Sequence, residues 1–280
     1  MTLIDANSWR RRIGLTTVLI AAGLAAAGCG SSSSAASPTV TATSTPHRYP
    51  AGHAFDANRI GDRMITAVRA AGGSTMQVTA GVAQLSGTFA FGSGEAVPML
   101  FPSRGAGRLT ASGRSIDWVL DVPEQVTDLG FYVNDGTLVN DRHWARVPPD
   151  VVGLDLERDG VQALLKAHPG LVFVPVVVED TEPDILATYV SRAGSSLRSL
   201  GAETVGGLAV THYRFTVDGK TPKAGAKNTF EIWIDQQGRP AKYVSNERGF
   251  TTTASYSHWG KQPSASLPPA SDVSVLPLEP

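Results

Sequence analysis

The chain has 280 residues, with Lys+Arg 24 against Asp+Glu 25 and a formal net charge of −1, so it has no charge excess to attract nucleic acid or a polyanionic partner. Hydrophobic residues make up 42% and charged residues 18%, enough for a substantial core in one large domain or two small ones. With one cysteine, an internal disulfide is excluded.

Residues 1–28 read as an export signal. Trp9-Arg10-Arg11-Arg12 is a cationic start, and 13–27 is an apolar run of fifteen residues, short for a membrane span and suited to a signal-peptide core. Arg10-Arg11 lacks the following Lys of a twin-arginine signal. Ala26-Ala27-Gly28 stands directly before Cys29, an arrangement that resembles a bacterial lipobox with Ala26 where that motif usually has Leu. On this resemblance Cys29 is diacylated, its anchor built from diacylglycerol and palmitate, and becomes the new N-terminus. Removing 1–28 takes away three arginines and one aspartate, which moves the net charge from −1 to about −3. The alternative is a plain secreted chain cleaved near Cys29.

Residues 29–50 are rich in Ser, Thr, Ala and Pro and lack apolar periodicity, a composition that cannot bury a core. They are expected to form a disordered tether. Thr39, Thr41, Thr43 and Thr45 are candidate glycosylation positions, and His47 and His53 read as solvated residues.

Residues 51–280 are expected to form one folded body with a proline-rich tail. Ala57, Ile60, Met64, Ala67, Val68 and Ala71 follow helical spacing over 55–71, with Asp56 as a cap and Gly72-Gly73 as the stop. Strands follow at 75–79 and 83–91, where Leu85, Phe89 and Phe91 share a face. Residues 92–106 read as an irregular segment, either a flap or an ordinary buried loop. Strands are expected at 108–112 and 115–122, with Ile116, Trp118, Leu120 and Val122 on one face. A hairpin is expected from 129–133 and 138–146 across Asn134-Asp135-Gly136.

A helix is expected at 155–168, and another from Thr181-Glu182-Pro183-Asp184 with Pro183 near its first turn. Its stripe is Leu186, Tyr189, Val190, Ala193 and Leu197, with Gly194 as a break. Between them 171–178 is strongly apolar, and Pro175 argues for an extended segment outside any central strand. Residues 208–218 alternate Thr211, Tyr213, Phe215 and Val217 against His212, Arg214, Thr216 and Asp218. Phe230, Ile232 and Ile234 repeat the pattern, and a turn at Gln236-Gln237-Gly238 returns the chain over 239–245. Asp235 and Arg239 read as turn residues. A last strand is expected at 251–259, and the tail from 262 is expected to wrap the body in extended form.

Motifs for catalysis are missing. His143, His168, His212 and His258 are scattered without metal-ligand spacing, and no Ser occupies a GxSxG elbow. Gly92-Ser93-Gly94 and Gly105-Ala106-Gly107 read as turns. The acids in 179–182 suit a helix start. His212 beside Arg214 could mark a head-group contact or an ordinary solvent-facing side. No cofactor and no metal site is expected, and the chain does not read as an enzyme.

The wording ETVGG at 203–207, THYR with TVD at 211–218 and WID with QGRP at 233–240 resembles the C-terminal half of LolA-like lipoproteins, in particular the actinobacterial LppX/LprG group. Tyr132 and Trp144 sit where that family has its hairpin aromatics. The resemblance implies an α+β fold: a strongly curved antiparallel sheet, an open half-barrel, with helices covering the concave face. It also implies a membrane-anchored extracytoplasmic lipoprotein that binds a lipid or lipidated molecule in a hydrophobic cavity and carries it across the cell envelope. The implied partners are a lipid or glycolipid ligand, the membrane through acylated Cys29 and a membrane exporter, with no nucleic acid and a monomeric state. The implied lipid-binding residues are Leu85, Phe89, Phe91, Ile116, Trp118, Leu120, Tyr213, Phe215, Phe230 and Ile232. Taken singly, each reads first as filled core against the helices; it is as a set that the resemblance assigns them to a cavity. RseB-like proteins share the fold, so an envelope sensor or scaffold that binds a protein partner is the competing reading.

Overall fold

A computed structural model describes residues 56–92, 103–111, 113–122, 130–136, 139, 141–147, 174, 177–178, 181–216, 229–247, 250–263 and 266–275. The expected export signal, Cys29, the tether and the helix at 155–168 lie outside them. Helix α1 (Ala57–Ala71) opens the described body. The Asp56 carboxylate accepts from the Arg59 amide at 3.2 Å, which caps its start. Gly72 ends it at φ 72° and donates its N–H to the Val68 and Arg69 carbonyls, the left-handed stop that glycine permits without strain.

Twelve strands build one sheet: β1 (Gly73–Ala80), β2 (Ala83–Phe91), β3 (Ser103–Ala111), β4 (Arg114–Val122), β5 (Gly130–Asn134), β6 (Trp144–Val147), β7 (Arg198–Val205), β8 (Leu208–Phe215), β9 (Thr229–Asp235), β10 (Pro240–Glu247), β11 (Phe250–Ser257) and β12 (Val273–Val275). Their order is β12-β6-β5-β4-β3-β2-β1-β11-β10-β9-β8-β7. Every named pairing is antiparallel except β12 on β6, which is parallel. The two ends of that order do not meet, so the sheet is open. A sheet of this width does not lie flat, because the twist between neighbouring strands accumulates and curls it. The architecture is the α+β open half-barrel that the resemblance implies.

The register puts one face of the strands from β1 to β5 and from β8 to β11 into a common interior. Across β1 to β5, Val78 faces Leu85, Leu85 faces Leu109, Leu109 faces Ile116, and Trp118 faces Val133. On the other wing Phe215 faces Phe230 and Ile232 faces Tyr243. All these buried residues belong to one apolar cluster with Met64 and Val68 of α1 and with Leu186 and Val190 of α2 (Pro183–Arg192). The helices therefore lie on the concave side. They cross in near contact at Gly61, where a Cβ would fall 1.8 Å from Ser191 Oγ and 2.7 Å from the Ala187 carbonyl oxygen.

Several expectations are corrected. The segment 92–106 is not irregular throughout, because β3 begins at Ser103, and Gly105-Ala106-Gly107 lies inside that strand instead of forming a turn. Val174, Val177 and Val178 are helical and buried, not extended. The Thr181 hydroxyl donates to the Val177 carbonyl at 2.6 Å, a helical i to i−4 contact. An apolar run by itself cannot distinguish a buried helix from a buried strand. The hairpin's second strand begins at Trp144 instead of 138, with an isolated bridge between Val139 and Arg142 before it. β7 was not expected at all, and the tail adds β12 instead of only wrapping the body.

Candidate functional site: the concave face

The concave face is built around Trp118. Its indole lies against a floor of glycines, since a Cβ at Gly87 would sit 2.4 Å from Trp118 Cζ2. At Gly105 a Cβ would meet Phe89 Cε1 at 2.7 Å and Trp118 Cζ3 at 3.2 Å. Gly107, opposite both Gly87 and Trp118, has no room either, because its Cβ would stand 1.9 Å from the Ser86 carbonyl oxygen. Of the two glycines that sequence reading assigned to a turn, Gly105 clears space for two aromatic rings and Gly107 for the backbone of β2.

From the indole the rings run on in two directions. Phe131 lies 6.2 Å away and Phe89 5.4 Å away, centroid to centroid. Phe89 leads to Phe91 at 6.4 Å, Phe91 to Trp259 at 6.4 Å, and Trp259 to Tyr256 at 6.5 Å. A second group sits on the other wing, where Phe230 contacts Phe215 at 5.4 Å, Tyr243 at 6.3 Å and Tyr189 of α2 at 6.1 Å.

All ten sequence-derived candidates lie on this face. Leu85, Phe89, Phe91, Ile116, Trp118 and Leu120 come together on β2 and β4, and Phe215, Phe230 and Ile232 on β8 and β9, all of them buried. Tyr213 is half-buried and packs against the same cluster. Val78, Met76, Leu109, Tyr243 and Tyr256 belong to it too. Sequence reading named none of these, although the period-2 pattern marks Met76 and Val78 on β1.

Polar groups are also enclosed on the concave side. Glu182 and Asp184, at the start of α2, are buried, which their place in an ordinary helix start did not signal. The Tyr256 hydroxyl donates to the Thr181 carbonyl at 2.5 Å. Burial, followed by the nearby Glu182 charge, pushes the Tyr256 phenol well above its usual value.

The convex face of β7–β10 is not a plain solvated surface. His212 is 7% exposed, which corrects the solvent-facing expectation. Its Nδ1 stands 2.7 Å from Glu203 Oε1 and its Nε2 3.1 Å from Glu231 Oε2. Its ring stacks on Trp233 at 4.0 Å, the Trp233 indole donates to Glu203 Oε2 at 2.8 Å, and Lys242 Nζ lies 4.6 Å from that ring's centroid. Arg214 Nε donates to Glu231 Oε1 at 2.8 Å. Burial alone would raise the Glu203 carboxyl, but the Trp233 and His212 hydrogen bonds and the Lys242 charge together hold it below the usual range. Among the described residues no group of His, Cys, Asp and Glu is placed to hold a metal ion, and no helix is long and apolar enough to cross a membrane.

No family model matches the sequence, and no curated protein matches it. The fold is similar to that of LprF from Mycobacterium bovis, with a TM-score of 0.44 and 14% identity over 76% of this chain and 96% of that one. It is similar also to lipoprotein LppX from Mycobacterium tuberculosis, with a TM-score of 0.41 and 12% identity over 73% of this chain and 95% of that one. The MucA/MucB complex of Pseudomonas aeruginosa gives a TM-score of 0.31 and 17% identity over 72% of this chain and 56% of that one.

Proposed function

We propose that the protein is a membrane-anchored extracytoplasmic lipoprotein that binds a lipid or lipidated molecule on the concave side of its sheet and carries it across the cell envelope. The observation that carries this reading is the unbroken apolar and aromatic face, which runs from β6 through β1 to β8 in an open sheet. Transfer of one methylene from water to such a surface gains about 0.8 kcal/mol, so one long acyl chain gains on the order of 10 kcal/mol before ordering costs. That is enough to hold a chain reversibly without a covalent step. Leu85, Phe89, Phe91, Ile116, Trp118, Leu120, Tyr213, Phe215, Phe230 and Ile232 line the site. Residues 1–28 are the export signal, acylated Cys29 is the anchor, 29–50 is the tether, and 51–280 is the binding domain, acting as a monomer supplied by a membrane exporter.

Sensing is the second reading, and the edge strand β7 favours it. Leu200 at 46% exposure and Leu208 at 39% stand beside an edge to which a partner's strand could add. Native mass spectrometry of protein freed of its anchor separates the two. Carriage predicts a co-purifying lipid mass, and a clean unliganded mass sinks it.

A further inference from the structure

The indole of Trp118 is 1% exposed, and among the described residues its Nε1 has no hydrogen-bond acceptor. A second orphan lies close along the same face. Ser74 is 0% exposed, its Oγ also lacks a partner among the described residues, and it stands opposite Phe89, whose ring touches the indole. Both side chains point to the concave side, where the glycine floor fixes the indole plane. Buried donors are nearly always paired, and one left unmade costs more than a made hydrogen bond yields net. Filling a core needs the rings of an aromatic side chain and makes no use of an indole N–H. Two sealed donors on an aromatic wall therefore suit a guest that brings its own acceptor.

The chemistry of that acceptor follows from what surrounds it. Among the described strand residues, those around Trp118 on this face include Leu85, Phe89, Leu109, Ile116, Phe131 and Val133 beside the glycine floor, none of them cationic. Farther along the concave side the buried ionisable groups at the start of α2, Glu182 and Asp184, are acids. A free carboxylate or a phosphate buried there would be an uncompensated charge, whereas a neutral carbonyl costs little once it accepts a bond. We infer that Trp118 Nε1, with Ser74 Oγ beside Phe89, receives the carbonyl oxygen of a neutral, ester-linked acyl chain, and that this bond sets how far the chain slides along the face. The inference rests on the lipid-carriage reading above and adds to it a specificity-determining residue and a class of head linkage.

The test compares dipalmitoylglycerol with its dihexadecyl ether counterpart, alike in chain length but without carbonyls, on the full chain. One neutral hydrogen bond to an otherwise orphaned donor predicts roughly tenfold tighter binding of the ester. In Trp118→Phe that preference falls to about one, whatever the smaller ring does to the affinity for both lipids alike. Ser74→Ala lowers the preference by a smaller factor. A second readout needs no variant to fold: in the indole-15N spectrum of the wild type, ester moves the Trp118 N–H downfield and ether leaves it in place. Equal binding of the two lipids by the wild type, or an undiminished ester preference in Trp118→Phe, overturns the inference while leaving carriage intact. Binding of neither lipid sinks the carriage reading and the inference with it.

Discussion

At single positions, two kinds of glycine decide the sheet, and they fail for different reasons. Gly87 has ordinary backbone but no space, so Gly87→Ala is expected to overpack the Trp118 indole and cost about 1–3 kcal/mol. Gly113 has open space around a missing Cβ but sits at φ 77°, so Gly113→Ala costs about 1 kcal/mol through backbone strain alone. Urea midpoints of the two variants test the ranking, and a neutral Gly87→Ala would mean that the indole does not rest on that floor. On the convex face, Glu203 is partly exposed, so its contribution is small, but its sign is definite. A carboxyl held below its unfolded value adds stability that is complete above the unfolded pKa of about 4.3 and is lost as pH falls through the lower folded value. The stability gap between wild type and Glu203→Gln should therefore be present at pH 7 and close towards pH 3. A gap that widens in acid would contradict the bonding of Glu203 to Trp233 and His212.

At the level of elements, the C-terminal strand is held by side chains as well as by its own short ladder. Asp272 Oδ1 accepts from the His143 amide at 3.0 Å and lies 2.8 Å from His143 Nδ1, while the Arg142 guanidinium donates to the Ser271 carbonyl. Those contacts, the His143 amide first, hold the Asp272 carboxyl below its usual value. Asp272→Ala should speed amide exchange at Val273–Val275 and leave β1 and β2 unchanged; unaltered exchange would show that pairing with β6 suffices. This clamp was invisible in the sequence because its members are 129 residues apart. Elements with regular alternation were legible: β2, β4, β8 and β9 declare their inner faces through Leu85, Trp118, Phe215 and Ile232. β7 was not, since its residues are largely exposed on both faces and a register shift between Ser199 and Gly201 breaks any period. The first part of β3 was misread for the opposite reason, because its inner positions there, Gly105 and Gly107, are glycines and Trp118 lies on another strand. The burial of His212 likewise depends on Trp233 and Glu203, from β9 and β7.

At the level of the whole molecule, an open sheet with a greasy interior must have its apolar face covered. Covering comes from α1 and α2, which meet the sheet through Met64, Val68, Leu186 and Val190, and on the proposed function also from a bound acyl chain that must remain removable. Because the ring groups around Trp118 and around Phe230 lie on separate wings, a charge introduced on either should act on binding locally. Phe215→Asp places a carboxylate among Phe230 and its neighbours, where an unpaired charge is costly in an apolar surrounding. In protein that remains folded by circular dichroism, lipid occupancy by native mass spectrometry is expected to fall severalfold. The anchor provides an independent axis. Cys29→Ala removes the acyl acceptor but leaves the concave face untouched, so the variant should move from the membrane fraction to the soluble fraction while its lipid occupancy, once loaded, is unchanged. Persistent membrane association would remove Cys29 as the anchor. Loss of occupancy together with release would count against carriage itself, since the concave face is intact in this variant.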